Sequence, residues 1–312
     1  MPELLGGIKI GHATAPNGHT GCTVFLCPEG ATGGVDVRGP APGSREAILL
    51  GPLKSVTTIN AILLTGGSAF GLSAADGVMR YLAERNIGHP TPIRNIPIVA
   101  AAVVFDLFLG QGKSLPDGDM GYAACLTAKQ DGIAQGNVGA GAAVTVGKWS
   151  GFSGIMKGGF GLAQAQEGDL VVGAAAVTNC VGDVLNEDGS VLAGARDDNG
   201  RWKVSADRWR RFPDRPPLLP GTNTTLVVVG TNATMDKVLT NRLAERAHDG
   251  IAIAIRPAHT SHDGDTAYTL ATNRVQANFD LVANMAVEMA AEAIRNSVRE
   301  ASTVGPLVGL KG

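Results

Sequence analysis

The stretch Gly221-Thr222-Asn223-Thr224-Thr225-Leu226-Val227-Val228-Val229-Gly230 decides how the rest of the chain is read. Leu226 to Val229 is an unbroken aliphatic run, three of its four residues β-branched, which fits a strand buried on both faces. Directly before it lies the most polar segment of the protein. From Asn186 to Asn223 charge is dense (Arg196, Asp197, Asp198, Arg201, Lys203, Asp207, Arg208, Arg210, Arg211, Asp214, Arg215). Pro213, Pro216, Pro217 and Pro220 also fall together there. Such composition cannot supply a packed core, so residues 186–223 read as a solvated, proline-rich linker. A tether therefore runs straight into a core strand, with a threonine hydroxyl at the junction.

That hydroxyl has a chemical use. A threonine inside a chain is a weak nucleophile that needs an adjacent base. If Thr224 attacks the carbonyl of Asn223, an ester replaces the amide, and water then divides the polypeptide into 1–223 and 224–312. The two chains would have 223 and 312 − 223 = 89 residues. The new terminus carries an α-amino group with a pKa near ~8, able to serve as base for the hydroxyl of the same residue. The plainer reading is a threonine that opens a strand after an asparagine turn, and spacing alone leaves both standing.

Outward from the junction, Cys22 to Cys27, Ile59 to Leu64, Val171 to Val177 and Ile251 to Ile255 also read as buried strands. Leu72, Ala75, Val78, Met79 and Leu82 recur at helical spacing. So does the stretch from Asn278 to Arg299, where Leu281, Val282, Met285, Met289 and Val298 face one way and Glu288, Glu292 and Arg295 lie nearer the other. Strands and helices come in groups without regular βαβ alternation, which favours α+β layers over a doubly wound sheet.

Composition narrows the function. With 26 basic and 28 acidic residues in 312, the net charge of −2 offers no basic field for nucleic acid or anionic lipid. Hydrophobic residues make up 44% and charged ones 17%, enough to bury a large core. Met1 to Gly7 shows no basic n-region followed by an apolar h-region. The longest apolar run, Ile98 to Phe105, is far short of the ~20 residues a membrane span needs. Cys22, Cys27, Cys125 and Cys180 form no C-x-x-C pair and read as buried thiols. A cytoplasmic protein with no membrane partner and no cofactor is expected.

The glycine-rich segments fail as nucleotide motifs on spacing. Gly110-Gln111-Gly112-Lys113-Ser114 ends like a P-loop, but Leu107 stands where the first glycine belongs. Gly139-Ala140-Gly141 reaches Val144 at the sixth position of a dinucleotide fingerprint. Gly66-Gly67-Ser68-Ala69-Phe70 lacks the closing glycine of a nucleophile elbow. His259, His262, Asp263 and Asp265 could ligate a divalent metal, although their spacing matches no zinc signature. Asp263 and Asp265, two apart, could instead share or relay a proton from one side of an extended segment.

The stretch Thr224 to Ala233 resembles the nucleophile strand of the DmpA-like amidohydrolases, which include L-aminopeptidase/D-Ala-esterases, β-peptidyl aminopeptidases and nylon-oligomer hydrolases. Thr65 to Leu72 with Ala75 to Val78, Gly136 to Gly139, Met156 to Gly161, Asn179 with Val181 to Val184, and His262 to Thr266 are similar in the same order. The resemblance implies a four-layer αββα sandwich, one catalytic domain over 1–312, autoproteolysis between Asn223 and Thr224, and a tetramer of processed protomers. It implies Thr224 as nucleophile and base, Asn179 as oxyanion donor, and Asp263 and Asp265 as orienting groups. It further implies Tyr122 in the substrate pocket and Lys157 beside Thr224, with Lys148 a rival for that role. The Asp263/Asp265 pair and the Asn-Thr bond look like the nylon-oligomer branch, hence a small amide or peptide substrate such as 6-aminohexanoate oligomers. Acyl transfer on the same scaffold, metal-dependent hydrolysis by the His259/His262/Asp263/Asp265 cluster, and a non-catalytic binding protein are the alternatives.

Overall fold

Period-two alternation along the strands sorts their side chains into three separate cores, and those cores define the layers. The computed structural model describes residues 3–203 and 221–312. Its first strands are β1 (Lys9–Thr14), β2 (Gly21–Val37), β3 (Ser44–Arg45), β4 (Thr58–Thr65) and β5 (Val99–Val103). The middle of the chain holds β6 (Thr145–Val146), β7 (Met156–Lys157), β8 (Phe160–Glu167), β9 (Leu170–Asn179), β10 (Asp183–Leu185) and β11 (Val191–Ala193). The last strands are β12 (Thr224–Ala233), β13 (Ile255–Arg256) and β14 (Thr266–Val275). The helices are α1 (Ala74–Glu84), α2 (Leu107–Gly110), α3 (Gly118–Leu126), α4 (Lys237–Ala254) and α5 (Phe279–Arg299).

Nine strands are linked by hydrogen bonds in the order β3-β5-β4-β2-β14-β12-β9-β8, with β1 added to β2. The 17-residue β2 is the hinge of this path, because its register with β4 breaks between Leu26 and Ala31. Its first half pairs with β1 and β4, and Thr32 to Val37 pair with β14. Ile62 and Leu64 of β4, Ala100 and Ala102 of β5, Val177 of β9, Leu226 and Val228 of β12 and Tyr268 of β14 share one core. The alternate residues Ala61, Leu63, Val99 and Ala101 pack instead with α1 and α3. On the far side, Val172, Ala174, Val227, Val229 and Ala267 pack with α4 and α5. The result is helices, sheet, sheet, helices: the α+β, four-layer sandwich expected. Strands covered on both faces must be apolar throughout, and all ten residues of β9 are buried. A Cβ on Gly161 would stand 2.0 Å from the carbonyl of Ala293, so glycine there lets α5 lie directly on β8.

Three expectations need correction. Ile251 to Ala254 is the last turn of α4, and only Ile255 enters a strand. The helix, capped by the Asp236 side chain on the amide of Leu239, already buries Leu243, Ala244 and Ala247 at helical spacing, and Ile251 continues that face. On α5, Leu281 is 42% exposed while Arg295 is buried, its Nε donating to the carbonyl of Leu185. The buried stripe runs through Val282, Ala286, Ala290 and Ile294 because small residues let the helix approach the sheet. Finally, the polar stretch after Asn186 is not a tether from its start: β11 pairs with β10, and Ala193 and Ala195 are buried. The remainder of that linker, 204–220, lies outside the described residues. All four cysteines are buried with free thiols. Among the described residues no helix is long and apolar enough to cross a membrane.

Candidate active site

Three chain segments meet where β12 begins. Antiparallel pairing sets Thr224 opposite Asn179, the last residue of β9. On the other side β14 runs parallel to β12, and the segment leading into it bridges Asp263 to Asn223. Strand termini of this kind carry backbone groups that the ladder leaves unpaired, which makes them suited to holding reacting atoms.

Thr224 is buried, and its Oγ1 donates to the carbonyl oxygen of Asn223 at 2.5 Å. The backbone amide of Gly264 donates to the same oxygen at 2.8 Å. Glycine at 264 is a steric requirement: a Cβ there would stand 2.8 Å from Thr224 Oγ1 and 2.5 Å from the carbonyl of Ala41. The two flanking carboxylates divide their work. Asp265 Oδ1 accepts from the amide of Thr225 at 2.6 Å, and its Oδ2 accepts from the amide and Nδ1 of His259 at 3.1 and 2.8 Å. Asp263 Oδ2 accepts from the amide and hydroxyl of Thr260 at 2.9 and 2.5 Å, while its Oδ1 is buried without a partner among the described residues.

Across the cleft, Asn179 Oδ1 accepts from the amide of Thr145 at 3.1 Å and from Lys148 Nζ at 2.9 Å. With both donors on the oxygen, the amide nitrogen must face the other way, and it donates to the carbonyls of Phe105 and Thr222 at 3.1 and 3.2 Å. Lys148 also donates to the carbonyl of Asn179 at 2.9 Å. Burial lowers the Lys148 ammonium to about 8, opposed by Cys180, Asp263 and Asp265. Burial raises Asp263 to about 6, helped by the neighbouring charge of Asp265 and opposed by the Thr260 hydrogen bonds and Lys148. A buried ammonium thus faces two buried carboxylates across the start of β12.

Lys157 is not the lysine of this cluster. Its Nζ donates to the carbonyls of Gly141 and Gly158 at 3.0 and 2.8 Å, and Asp106 is the charge acting on it. Lys148 reaches Asn179 because Gly147, at φ 76°, turns the chain into a short 3₁₀ segment just before it. Tyr122 does not line the site either. It sits on α3, donates to Glu84 at 2.6 Å, meets the Tyr81 ring edge-on and lies beneath Arg80. α3 packs on α1 in the outer helix layer, which turns the ring away from the sheets. The aromatic residue that does approach is Phe105. A cavity of about 170 Å³ beside Thr224 is lined by Phe105, Ala41, Pro42, Gly43 and Gly221 among others, and among the described residues no ionisable side chain lines it. The Phe105 ring meets Phe108 at 5.1 Å, and Phe108 meets Phe152 at 4.9 Å, a path of aromatic rings leading outward.

The His259/His262/Asp263/Asp265 quartet does not converge as a ligand cage. His259 binds Asp265, Asp263 turns to Thr260, and among the described residues no three His, Cys, Asp or Glu side chains are placed to hold a metal ion. Gly264 as a backbone donor and Phe105 as a pocket wall were not read from the sequence. The glycine between two acidic residues was the one available signal for the first, and Phe105 closes the longest apolar run, which reads as core.

The two halves of the nine-stranded sheet thus face each other between helix layers, with a buried hydroxyl, two carboxylates and an ammonium at one strand end. Residues 5–310 match the family described as Peptidase family S58, and the chain belongs to that family. It is 40% identical over 291 residues to an uncharacterized aminopeptidase of Mycobacterium leprae, covering 88% of this chain and 78% of that protein. It is 33% identical over 273 residues to the 6-aminohexanoate-oligomer endohydrolase of Paenarthrobacter ureafaciens, covering 86% and 74%. The fold is similar to that of the L-aminopeptidase D-Ala-esterase/amidase of Ochrobactrum anthropi, with a TM-score of 0.75 at 16% identity over 100% of this chain and 92% of that one. The protein is therefore a hydrolase of amide or peptide bonds.

Proposed function

We propose that the chain cleaves itself between Asn223 and Thr224 and then hydrolyses linear amides with Thr224 as an N-terminal nucleophile. The observation that carries this reading is the Asn223 carbonyl oxygen, held by the Gly264 amide at 2.8 Å with Thr224 Oγ1 at 2.5 Å. In the first step Oγ1 bonds to the Asn223 carbonyl carbon, the peptide C–N bond breaks, and the hydroxyl proton passes to the departing nitrogen of Thr224. Gly264 stabilises the charge on oxygen, an effect worth about 3 kcal/mol for one such donor. Water then hydrolyses the ester, leaving a carboxylate on Asn223 and a free amine on Thr224. Asn179 Nδ2, engaged before cleavage with the carbonyl of Thr222, is released by departure of that segment to bind the oxyanion of a substrate. Lys148 on Asn179 Oδ1 keeps the amide facing that way. Substrate turnover repeats the chemistry: Thr224 takes the acyl group, the amine leaves, and water frees the acid. Intact-mass measurement tests it directly, since wild type should yield chains of 223 and 89 residues and Thr224→Ala a single chain.

The uncharged cavity and the three phenylalanines support an acyl segment that is linear and apolar, as in 6-aminohexanoate oligomers. Short peptides are the second reading, favoured by the 40% identity to an aminopeptidase. Acyl transfer would use the same acyl-enzyme, and products formed with an added amine acceptor separate it from hydrolysis. We further propose a cytoplasmic tetramer of processed protomers, which light scattering on the purified protein tests.

A further inference from the structure

We propose that His259 is a positioning residue for Asp265, and through it for the Thr224 end of β12; this rests on the reading of Thr224 just given. The Asp265 carboxylate accepts three hydrogen bonds, and two come from His259, through its backbone amide and its Nδ1. The third ties Asp265 to the amide of Thr225, the residue next to the reacting hydroxyl. One side chain thus clamps both faces of the link between the loop and the strand.

Two features separate this from ordinary packing. His259 adopts a left-handed backbone, φ 53°, a conformation unfavourable for a non-glycine residue that survives where the surroundings enforce it. Its ring is also an unfavourable filler. Among the described residues Nε2 of His259 is buried without a partner, and so is Nδ1 of His248, whose ring meets it edge-on at 4.9 Å. An apolar side chain would occupy this place with no orphaned nitrogen. The bond to Asp265 is the interaction that makes imidazole fit. His248, fully buried on α4, backs the ring and is itself held by the carbonyl of Asp36 at 3.1 Å, while Arg38 pairs with the Asp36 carboxylate. A ring supported from behind and bonded in front holds a carboxylate more firmly than solvent would. Displacing a reacting group by an ångström costs on the order of 100-fold in rate.

The test compares His259→Asn with His259→Gly in the full chain. Both tolerate the left-handed backbone, but asparagine keeps a side-chain N–H for Asp265 and glycine removes it. His259→Gly should slow precursor cleavage and lower kcat of the processed enzyme by about 10- to 100-fold, with KM changed less than twofold, while His259→Asn recovers most of both rates. Thermal unfolding of each variant separates this from loss of the fold, and His259→Asp, which places an acceptor against Asp265, serves if the glycine variant does not accumulate. Equal rates for glycine and wild type, or equal losses for asparagine and glycine, overturn the proposal. A wild-type chain that never cleaves overturns the Thr224 reading itself.

Discussion

Two lysines, nine positions apart, are both fully buried, and burial lowers both, Lys148 to about 8 and Lys157 to about 7. Their surroundings differ in kind. Lys157 is held by two glycine carbonyls and feels the charge of Asp106, a set in which the ammonium braces backbone turns. Lys148 is held by the carbonyl and amide oxygen of Asn179 and faces both Asp263 and Asp265, one of which keeps an oxygen without a partner among the described residues. The contrast shows that a perturbed buried charge does not by itself mark a site. What distinguishes Lys148 is that its partners are the residues around the Thr224 hydroxyl, with hydrogen-bonding capacity left over among the described residues.

The largest effect expected is at the hydroxyl shared by everything around Lys148. Thr224→Ala should remain uncut on denaturing electrophoresis and lose on the order of 10⁴-fold or more in kcat/KM. Next comes Lys148→Met, which frees Asn179 to rotate and leaves two carboxylates without a counter-charge. Precursor cleavage and kcat should fall by about 10²- to 10³-fold. If Lys157→Met did the same, the comparison would be broken.

The pH dependence of precursor cleavage sharpens the contrast, because no free Thr224 amine exists yet to titrate. Asp263, raised to about 6, becomes a carboxylate as pH climbs through that value, so cleavage should rise there. Lys148, lowered to about 8, loses its charge above that value, so cleavage should fall. The stability sign is opposite for the acid: a raised carboxyl contributes stability that is lost as pH rises through about 6. Stop-time mass spectrometry from pH 5 to 9 should trace a bell, and a flat profile would remove both groups from the chemistry. Phe108→Ala should raise KM for long linear acyl amides by roughly 3- to 10-fold and leave cleavage of the precursor unchanged. Smallest in activity is Lys157→Met. Its folded fraction should turn over within about twofold of wild type, while stability drops by about 1–3 kcal/mol as two carbonyls lose their donor.

The legible parts of the site were the ones written contiguously. Thr224 with its aliphatic strand and Asp263 and Asp265 two apart each carry a local pattern, Asn179 is legible through the family resemblance, and the structure brings them to one strand end. Tyr122 and Lys157 failed for a shared reason. Each is a polar residue amid glycine or alanine, and nothing local says whether it faces the sheet interface or the outer helix layer. Ile251 to Ala254 misled because a short apolar run fits a strand or the end of a buried helix equally, and the difference lay upstream in the Asp236 cap and the face that α4 had already begun.

Read alone, the chain determined which segments must be buried: its β-branched and small-residue runs cannot remain in water, and their grouping demands stacked layers. It also determined that a hydroxyl stands where a polar stretch enters the core. Only the tertiary structure decided which lysine holds Asn179 beside that hydroxyl, which aromatic ring walls its cavity, and that a histidine backs one of its carboxylates. Those choices depend on register and on which face of a doubly covered strand or helix turns inward, and hydrophobicity that is nearly uniform along a strand carries no record of facing.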